Sequence, residues 1–433
     1  MNTGTKKPYH EQPHLPFSAP WFGAEEKREL LATLKSDWIT TGPRTKQFEK
    51  AFAAYIGTAE AVAMNSCTAA LHLGLATLDV GPRDAVITTP FTFAATANVI
   101  VHVGAFPAFV DIDPHTYNLD ASKLQVFLQR ECVWQAGNRS LVLKSNGRRV
   151  KAVIPVHYGG HPCDMDAINR VAEHFGLAVI EDAAHAVGAQ YRARKVGTLS
   201  SVACFSFYAN KNMTTAEGGM LTTSDTELAS RVRVLSLHGI SKDAWKRYSK
   251  EGSWQYDVVD AGFKYNMTDL ASALGLYQLM KLDSFIARRT QLAELYNRTL
   301  AGVAGLKLPT VLPEVKSAWH LYPVQILSPS PTRKEFIEEL NKRNIGCSVH
   351  FIPLHLTSFY QRTFAYRQGD FPVAEQVFQR IVSLPLFPRM RDGDVLRVAR
   401  EVREILGSVR PQPCSELRID SAVPRARLGR TTL

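Results

Sequence analysis

Residues 164–188, DMDAINRVAEHFGLAVIEDAAHAVG, contain the pattern that decides the fold. Asp164 is a favourable helix N-cap, apolar side chains then recur at helical spacing, and Gly176 stands where a helix C-cap is expected. The apolar run 177–180 follows at once and predicts a buried strand that ends at Glu181-Asp182. A helix followed directly by a buried strand is the repeating unit of a parallel sheet with helices on its faces.

The same alternation extends on both sides of this stretch. Residues 25–55 have helical spacing that is interrupted by a turn at 40–43. Further apolar or β-branched runs predict strands at 85–88, 106–112, 153–156, 202–207 and 220–222. We therefore expect an α/β fold with a mostly parallel sheet, in a large domain of residues 17–284.

The pattern changes after about residue 285. Helical pieces at 288–300 and 332–343 flank short strands at 320–326 and 347–350. This predicts a smaller α+β domain of residues 285–408 at the C-terminal side. Residues 1–16 are predicted to be a flexible leader and residues 409–433 a disordered basic tail.

The 433-residue chain carries a formal charge of +11, from 51 Lys and Arg against 40 Asp and Glu. Such a surplus raises the question of an anionic partner such as nucleic acid. The predicted leader holds +1 of this charge and the predicted tail +3. The remaining basic residues are scattered and not interleaved with aromatics, so nucleic acid is an unfavoured partner. A hydrophobic fraction of 45% excludes whole-chain disorder.

The six cysteines are scattered without a CxxC pair, which favours a reducing compartment over a disulfide framework or a zinc site. The N-terminal residues lack the apolar core of a signal peptide. No apolar run approaches the roughly 20 residues of a membrane span. We therefore expect a cytoplasmic protein with no membrane partner and no metal.

Polar and aromatic side chains follow the predicted strands, at the carboxyl ends where parallel sheets collect ligands. They are Thr92 and Phe93, His157, Asp182 and His185, and Ser206 and Lys211. Such a set fits pyridoxal 5′-phosphate (PLP), which requires a lysine for its aldehyde and a carboxylate for its pyridine nitrogen. Each residue also has a plainer interpretation: Asp182 as a helix N-cap, His185 as a structural histidine and Lys211 as a surface lysine.

Residues 65–71, NSCTAAL, place small hydroxyl side chains at the start of an apolar helix. Free N–H groups and the positive end of the helix dipole favour a phosphate at such a place. An ordinary Ser or Thr N-cap explains the same residues. The predicted phosphate site therefore depends on the strand-end residues around it.

Two longer motifs point to a family: EDAAHAVGAQY at 181–191 and VACFSFYANKNMTTAEGGMLTT at 202–223. Together with SCTAALHLGL at 66–75 and GFKYNMTDLASALGLYQL at 262–279, they resemble the DegT/DnrJ/EryC1/StrS family of PLP-dependent nucleotide-sugar aminotransferases. The motifs stand in family order and the resemblance covers about residues 17–408. It implies the PLP-dependent transferase fold type I and a homodimer whose active sites are shared between subunits.

The resemblance also implies roles for the strand-end residues. Lys211 would bond to PLP and move the proton between the substrate and cofactor carbons. Asp182 would pair with the pyridine nitrogen, His185 would lie near the ring oxygen, and Phe93 would stack on the ring. A lysine at 211 favours transamination, because the relatives that dehydrate sugars carry histidine at this position.

The implied phosphate ligands come from both subunits. Thr68, Ala69 and Ser206 would bind the phosphate of their own subunit. Asn266, or Lys264 near it, would reach the phosphate of the other subunit. The frequent family motif has Asn and Arg where this chain has Lys264 and Asn266, so the choice between the two stays open.

The implied substrate residues lie in an N-terminal loop and in the smaller domain. They are Trp38, Thr40, Thr41, His320 and His350, with His355 as a further candidate. For each histidine taken alone, a structural role is an equal alternative.

The expected activity is transfer of the amino group of L-glutamate to a nucleotide-linked keto sugar, with a UDP- or dTDP-4-keto sugar as the first expectation. The expected setting is cell-surface polysaccharide synthesis, lipopolysaccharide included, or secondary metabolism. Two alternatives remain: amination of a 3-keto sugar, and a regulatory or nucleic-acid-binding protein of the same fold.

Overall fold

The computed structural model describes residues 12–36, 38–135, 137, 140–241 and 256–407. The predicted tail and residues 1–11 of the predicted leader lie outside the described residues. Residues 12–16 are packed against the C-terminal part of the chain: Leu15 is 6% exposed, donates its N–H to Asn344 O at 2.9 Å and accepts from the N–H of Gly346 at 2.8 Å.

Helices and strands alternate through most of the described chain. The helices are α1 Ala24–Leu34, α2 Pro43–Ile56, α3 Cys67–Thr77, α4 Ala94–His102, α5 Ala121–Glu131, α6 Met165–Phe175, α7 Thr226–Ser236, α8 Asp269–Leu300, α9 Arg333–Lys342, α10 Ser358–Phe364, α11 Pro372–Arg380 and α12 Asp392–Ile405. The strands are β1 Glu60–Met64, β2 Asp84–Thr88, β3 Phe106–Phe109, β4 Cys132–Gln135, β5 Ser140–Leu143, β6 Arg149–Val153, β7 Ala178–Asp182, β8 Gln190–Tyr191, β9 Arg194–Lys195, β10 Val202–Ser206, β11 Gly219–Thr223, β12 Leu306–Lys307, β13 Val315–Lys316, β14 Tyr322–Ile326 and β15 Ile381–Leu384.

The large sheet has the order β1-β11-β10-β7-β6-β2-β3, and the hairpin β4-β5 is attached through β5 to β6. The neighbours from β10 to β3 run parallel, whereas β11 is antiparallel to both β10 and β1. Two apolar clusters cover the two faces of this sheet. The predicted α/β fold with a mostly parallel sheet is therefore confirmed.

Helix α6 and strand β7 form as the opening pattern predicts. Asp164 caps α6 by accepting the N–H of Ala167 at 3.1 Å, and Gly176 ends it in the left-handed region at φ +67°. Strand β7 then follows almost without a loop and ends at Asp182. This short connection delivers the Asp182 carboxylate to the carboxyl edge of the sheet.

A single 32-residue helix, α8, joins two parts of the molecule. Leu279 and Leu282 in its first half, and Ile286 just past its midpoint, pack in one of the clusters that cover the sheet. Tyr296 and Leu300 in its second half pack in a separate core with the sheet β12-β14-β15. The boundary expected at 284/285 falls inside this helix, and we propose that the two domains share it.

One predicted strand of the smaller part is wrong. Residues 347–350 form no strand, and only Ser348 makes an isolated bridge, to Ser383 in β15. Just after this bridge, His350 O accepts the Tyr158 hydroxyl at 2.6 Å, so this segment contacts the large part of the molecule. Within the described residues, no helix combines the length and apolarity that a membrane span requires.

Candidate active site

A cavity of about 440 Å³ lies at the carboxyl ends of β7 and β10 and against the start of α3. The last strand residues Asp182 and Ser206 reach it from the sheet, and residues 320 and 350–351 reach it from the smaller part. Nine residues singled out from sequence line it: Thr68, Thr92, Phe93, Asp182, His185, Ser206, Lys211, His320 and His350.

Asp182 carries a buried carboxylate on the cavity wall, with 4% of the residue exposed. Its Oδ2 accepts the Thr96 hydroxyl at 2.7 Å, and its Oδ1 accepts the N–H of Ala184 at 3.1 Å. Burial raises the pKa of this carboxyl, while the bonds from Thr96 and Ala184 oppose the rise. No salt bridge to Asp182 forms within the described residues, so its charge lacks a directly bonded cation.

Lys211 follows β10 in the loop that leads to β11, and its amine faces the same cavity. Desolvation lowers the pKa of Lys211 to about 8, against the opposing influence of Cys67 and Asp182. At neutral pH roughly a tenth of such amines are uncharged, against less than about a thousandth for an ordinary lysine. The amine is therefore prepared to attack a carbonyl carbon.

His185 is held in one tautomer. Its Nδ1 accepts the backbone N–H of Gly159 at 3.2 Å, so the ring hydrogen is on Nε2. Burial, together with the nearby Lys211 and His350, lowers its pKa well below the usual value and keeps the ring neutral. The ring stacks on Phe351 at a centroid distance of 5.8 Å. His185 thus offers a neutral N–H donor.

The start of α3 has the geometry of an anion cradle. Ser66 is the N-cap, and its hydroxyl accepts the N–H of Ala69 at 3.1 Å. Gly219 lies so close that a Cβ there would stand 2.4 Å from the backbone nitrogen of Cys67, which explains this glycine in the EGGM motif. Within the described residues, the N–H groups of Cys67 and Thr68 have no hydrogen-bond partner and remain for a ligand, whereas that of Ala69 is engaged by the cap.

Five predicted site residues lie away from the cavity wall that the described residues form: Trp38, Thr40, Thr41, Ala69 and Asn266. Three of them are bonded together. Asn266 donates its side-chain N–H to the Thr41 hydroxyl at 2.6 Å, and Trp38 donates its indole N–H to Thr41 O at 2.9 Å. Two other histidines considered from sequence, His157 and His355, do not line this cavity either. His157 bonds Glu181 at 3.0 Å, and His355 bonds Glu375 at 2.8 Å.

The comparison with known families decides the identity of this arrangement. Residues 20–403 match the DegT/DnrJ/EryC1/StrS aminotransferase family. The chain belongs to this family.

Individual relatives match this chain over nine tenths or more of its length. An uncharacterized protein of Methanocaldococcus jannaschii is 50% identical over 398 residues, which cover 92% of this chain and 98% of that protein. The spore coat polysaccharide biosynthesis protein SpsC of Bacillus subtilis is 49% identical over 395 residues, or 90% and 97% of the two chains. The PLP form of Spr1654 from Streptococcus pneumoniae, described as a sugar aminotransferase, superposes with a TM-score of 0.80 at 32% identity and covers 91% of this chain and 99% of that one.

As a member of the DegT/DnrJ/EryC1/StrS family, the protein is a PLP-dependent aminotransferase of fold type I, which confirms the predicted fold and cofactor. The cavity fits the cofactor on its own chemistry. A buried carboxylate without a bonded cation suits a protonated ring nitrogen, and the free N–H groups at the start of α3 suit a phosphate. Lys211 supplies an amine in the same cavity.

Several cavity residues were missed by sequence reasoning. They are Cys67, Thr96, Tyr208, Asn210, Glu217 and Phe351. Asn210 and Glu217 stand within the Lys211 motif, so their proximity to the lysine was an available signal. Thr96 and Phe351 gave no signal, because their contacts with Asp182 and His185 arise between segments far apart in the chain.

Proposed function

We propose that this protein transfers the amino group of L-glutamate to the keto carbon of a nucleotide-linked sugar, with a UDP- or dTDP-4-keto sugar as the first candidate. The observation that carries the proposal is the desolvated Lys211 amine in one cavity with the buried Asp182 carboxylate. The relationship to SpsC supports a role in surface polysaccharide synthesis.

When bound, PLP supplies an aldehyde that captures amines and a ring that withdraws electrons from the reacting carbon. Asp182 keeps the ring nitrogen protonated, and its own position is maintained by Thr96 and Ala184. The Nε2–H of His185 would donate a hydrogen bond to the ring oxygen. Phe93, which is 63% exposed at the cavity, would cover one face of the ring.

Lys211 performs the proton transfer. Its Nζ would move the proton from the α-carbon of glutamate to the cofactor carbon in the first half-reaction, and from the cofactor carbon to the sugar carbon in the second. A pKa of about 8 suits both directions, because the amine gains and loses a proton near neutral pH. The small hydroxyl residues Thr68 and Ser206 bind the phosphate beside the α3 terminus.

We further propose that the enzyme is a cytoplasmic homodimer. Thr41 and Asn266 form a bonded pair outside the cavity of their own chain, and Lys264 is exposed near them. A partner subunit that places this group at the phosphate would give these predicted ligands a function. The five cysteines of the described residues are free thiols, which supports a reducing compartment.

The test is a screen of UDP- and dTDP-linked keto sugars with L-glutamate, in which amino-sugar formation is read by mass spectrometry. Amination of a 4-keto sugar is the expected result. Amination only of a 3-keto sugar would place the reacting carbon at C3 instead of C4 and would leave the proposed cofactor residues unchanged. Turnover of glutamate without amination of any nucleotide sugar would contradict the proposed substrate class.

A further inference from the structure

A short segment, residues 317–321, carries His320 from the smaller part of the molecule to the cavity. Its backbone is bonded to the large part on both sides of the histidine: Ala318 donates to Gly160 O at 2.9 Å and Leu321 donates to Gly159 O at 3.1 Å. Such double attachment leaves the imidazole little freedom to move relative to the sheet.

A buried arginine on α8 strengthens this attachment. Arg289 is 2% exposed and donates through Nη1 to the carbonyl oxygens of Trp319 at 3.2 Å and Leu386 at 2.7 Å. It forms no salt bridge within the described residues, although burying a guanidinium costs free energy. A buried cation bonded only to main-chain carbonyls indicates that the position of this segment matters.

Asn212, next to Lys211 in the chain, determines which nitrogen of His320 carries the hydrogen. The Asn212 amide donates through Nδ2 to Ala318 O at 2.6 Å, and its Oδ1 lies 3.3 Å from His320 Nδ1. An amide oxygen only accepts, so His320 Nδ1 is the N–H donor of this pair. The tautomer follows from the bonded network, since the opposite amide orientation would bring two oxygens together.

His320 and His185 therefore present opposite hydrogen-bonding character. Their rings are 4.3 Å apart, and both line the cavity. His185 has its hydrogen on Nε2, whereas His320 has a bare lone pair on Nε2. Burial and the neighbouring cationic groups lower the pKa of both rings, so neither carries a charge at neutral pH. The cavity thus holds one neutral donor and one neutral acceptor in ring contact.

We propose that His320 Nε2 accepts a hydrogen bond from a sugar hydroxyl next to the reacting carbon, and that Asn212 is the positioning residue that maintains this acceptor. The inference rests on the proposed keto-sugar substrate. A sugar hydroxyl is a donor that a neutral lone pair can recognise, whereas the carboxylates of L-glutamate are acceptors only. His320 therefore serves the sugar half-reaction and has little part in the glutamate half-reaction.

The test measures the two half-reactions separately on the holoenzyme. The glutamate half-reaction is followed by the absorbance of the cofactor. The sugar half-reaction uses the nucleotide-linked keto sugar that the wild-type enzyme aminates, with UDP- and dTDP-linked 4-keto-6-deoxyhexoses as the first probes.

Two substitutions of His320 distinguish its nitrogens. His320→Gln places an amide oxygen near the former Nε2 and retains an acceptor for the hydroxyl. His320→Asn retains an N–H donor for Asn212 Oδ1 but has no acceptor at the former Nε2 position. We expect kcat/KM for the sugar to fall about tenfold to a hundredfold in His320→Asn and by less than about fivefold in His320→Gln, because an unpaired buried group costs more than a poorly placed one. The glutamate half-reaction should change by less than about threefold in both.

Asn212→Ala tests the positioning residue and leaves His320 itself in place. Without the amide, both tautomers of His320 become accessible, and kcat/KM for the sugar should fall about threefold to tenfold with the glutamate rate retained. Asn169→Ala is the matched control, because Asn169 also donates to one carbonyl, Leu199 O at 2.7 Å, but lies away from the cavity. It should change neither half-reaction.

Equal losses in His320→Gln and His320→Asn, or equal losses in both half-reactions, would show that His320 is only structural and would overturn the inference. Failure of the wild-type enzyme to aminate any nucleotide-linked keto sugar would instead refute the proposed function. If His320→Asn does not fold, the comparison of Asn212→Ala with Asn169→Ala decides the inference by itself.

Discussion

Two buried aspartates of this protein have opposite surroundings. Asp269, at the first turn of α8, is 0% exposed and accepts four hydrogen bonds at the start of α2: the N–H of Gly42, of Arg44 and of Thr45, and the Thr45 hydroxyl, at 2.7 to 3.1 Å. Asp182, on the cavity wall, accepts only two described hydrogen bonds.

The difference separates a structural carboxylate from the one that we propose pairs with the cofactor. The charge of Asp269 is compensated by donors of its own chain, which fix α2 against α8. The charge of Asp182 is compensated incompletely, and the remaining attraction is available to a ligand cation. Substitutions in the cavity should therefore change activity with little effect on stability, and substitutions at the α2–α8 junction should do the reverse.

Lys211→Ala should give the largest effect. We expect turnover to fall by at least about ten-thousandfold, because we propose that the residue both bonds to the cofactor and moves the proton. Amino-sugar formation measures this loss, and thermal unfolding of the apo protein should change little. Lys342→Ala, on the exposed side of α9, is the matched control. Turnover near the wild-type rate in Lys211→Ala would refute the role of the lysine.

Asp182→Asn should lower turnover about a thousandfold and weaken PLP binding, because a neutral amide no longer stabilises the protonated ring nitrogen. The stability of the apo protein, in contrast, should not fall. Since burial raises the pKa of Asp182, its ionisation costs apo stability once the pH is above the unfolded-state pKa, so the Asn variant should be at least as stable at pH 7. Urea unfolding of the apo proteins measures this, and a clear loss of stability would contradict the comparison.

Asp269→Ala should lower the free energy of unfolding by about 3 kcal/mol, because several buried donors lose their acceptor. Activity per folded holoenzyme should fall by less than about tenfold, far short of the loss in Asp182→Asn. Asp225→Ala is the control: this exposed N-cap of α7 accepts two N–H groups at 2.9 Å, and its loss should cost only about 1 kcal/mol. Similar losses of unfolding free energy in Asp269→Ala and Asp225→Ala would show that Asp269 stabilises the fold no more than an exposed N-cap does.

The pH dependence of PLP uptake by the apo protein should report the Lys211 amine directly. With a pKa of about 8, the uncharged fraction rises about tenfold between pH 7 and pH 9 and then levels off. Stopped-flow absorbance at the cofactor band follows the rate. A rate that continues to rise steeply beyond pH 9 would indicate an ordinary, solvated lysine.

Deletion of residues 411–433 should have the smallest effect. We expect activity within about twofold of the full chain, because described residues outside this segment line the cavity and form the junction. The same keto-sugar assay measures the result, and a larger loss would add a third functional region to the comparison.

Much of the candidate site was accessible from sequence because its residues follow strands. Asp182 and Ser206 end β7 and β10, and the positions of such residues follow from the direction of parallel strands. The predictions for the N-terminal loop and for Asn266 could not be placed in the same way. Within the described chain, Trp38, Thr41 and Asn266 bond to each other and lie away from the cavity wall.

The sequence alone determined the alternation of helices and strands, the family and the identity of the lysine and aspartate, because these depend on local spacing and on short motifs. The tertiary structure decided that the Asp269 carboxylate accepts four hydrogen bonds and the Asp182 carboxylate only two described ones. It also decided that residues 347–350 form no strand and that Asn212 sets the tautomer of His320. Each of these is a contact between distant segments. Hydrogen-bond saturation, burial and tautomer depend on what the rest of the chain brings near a group, and local sequence carries no record of it.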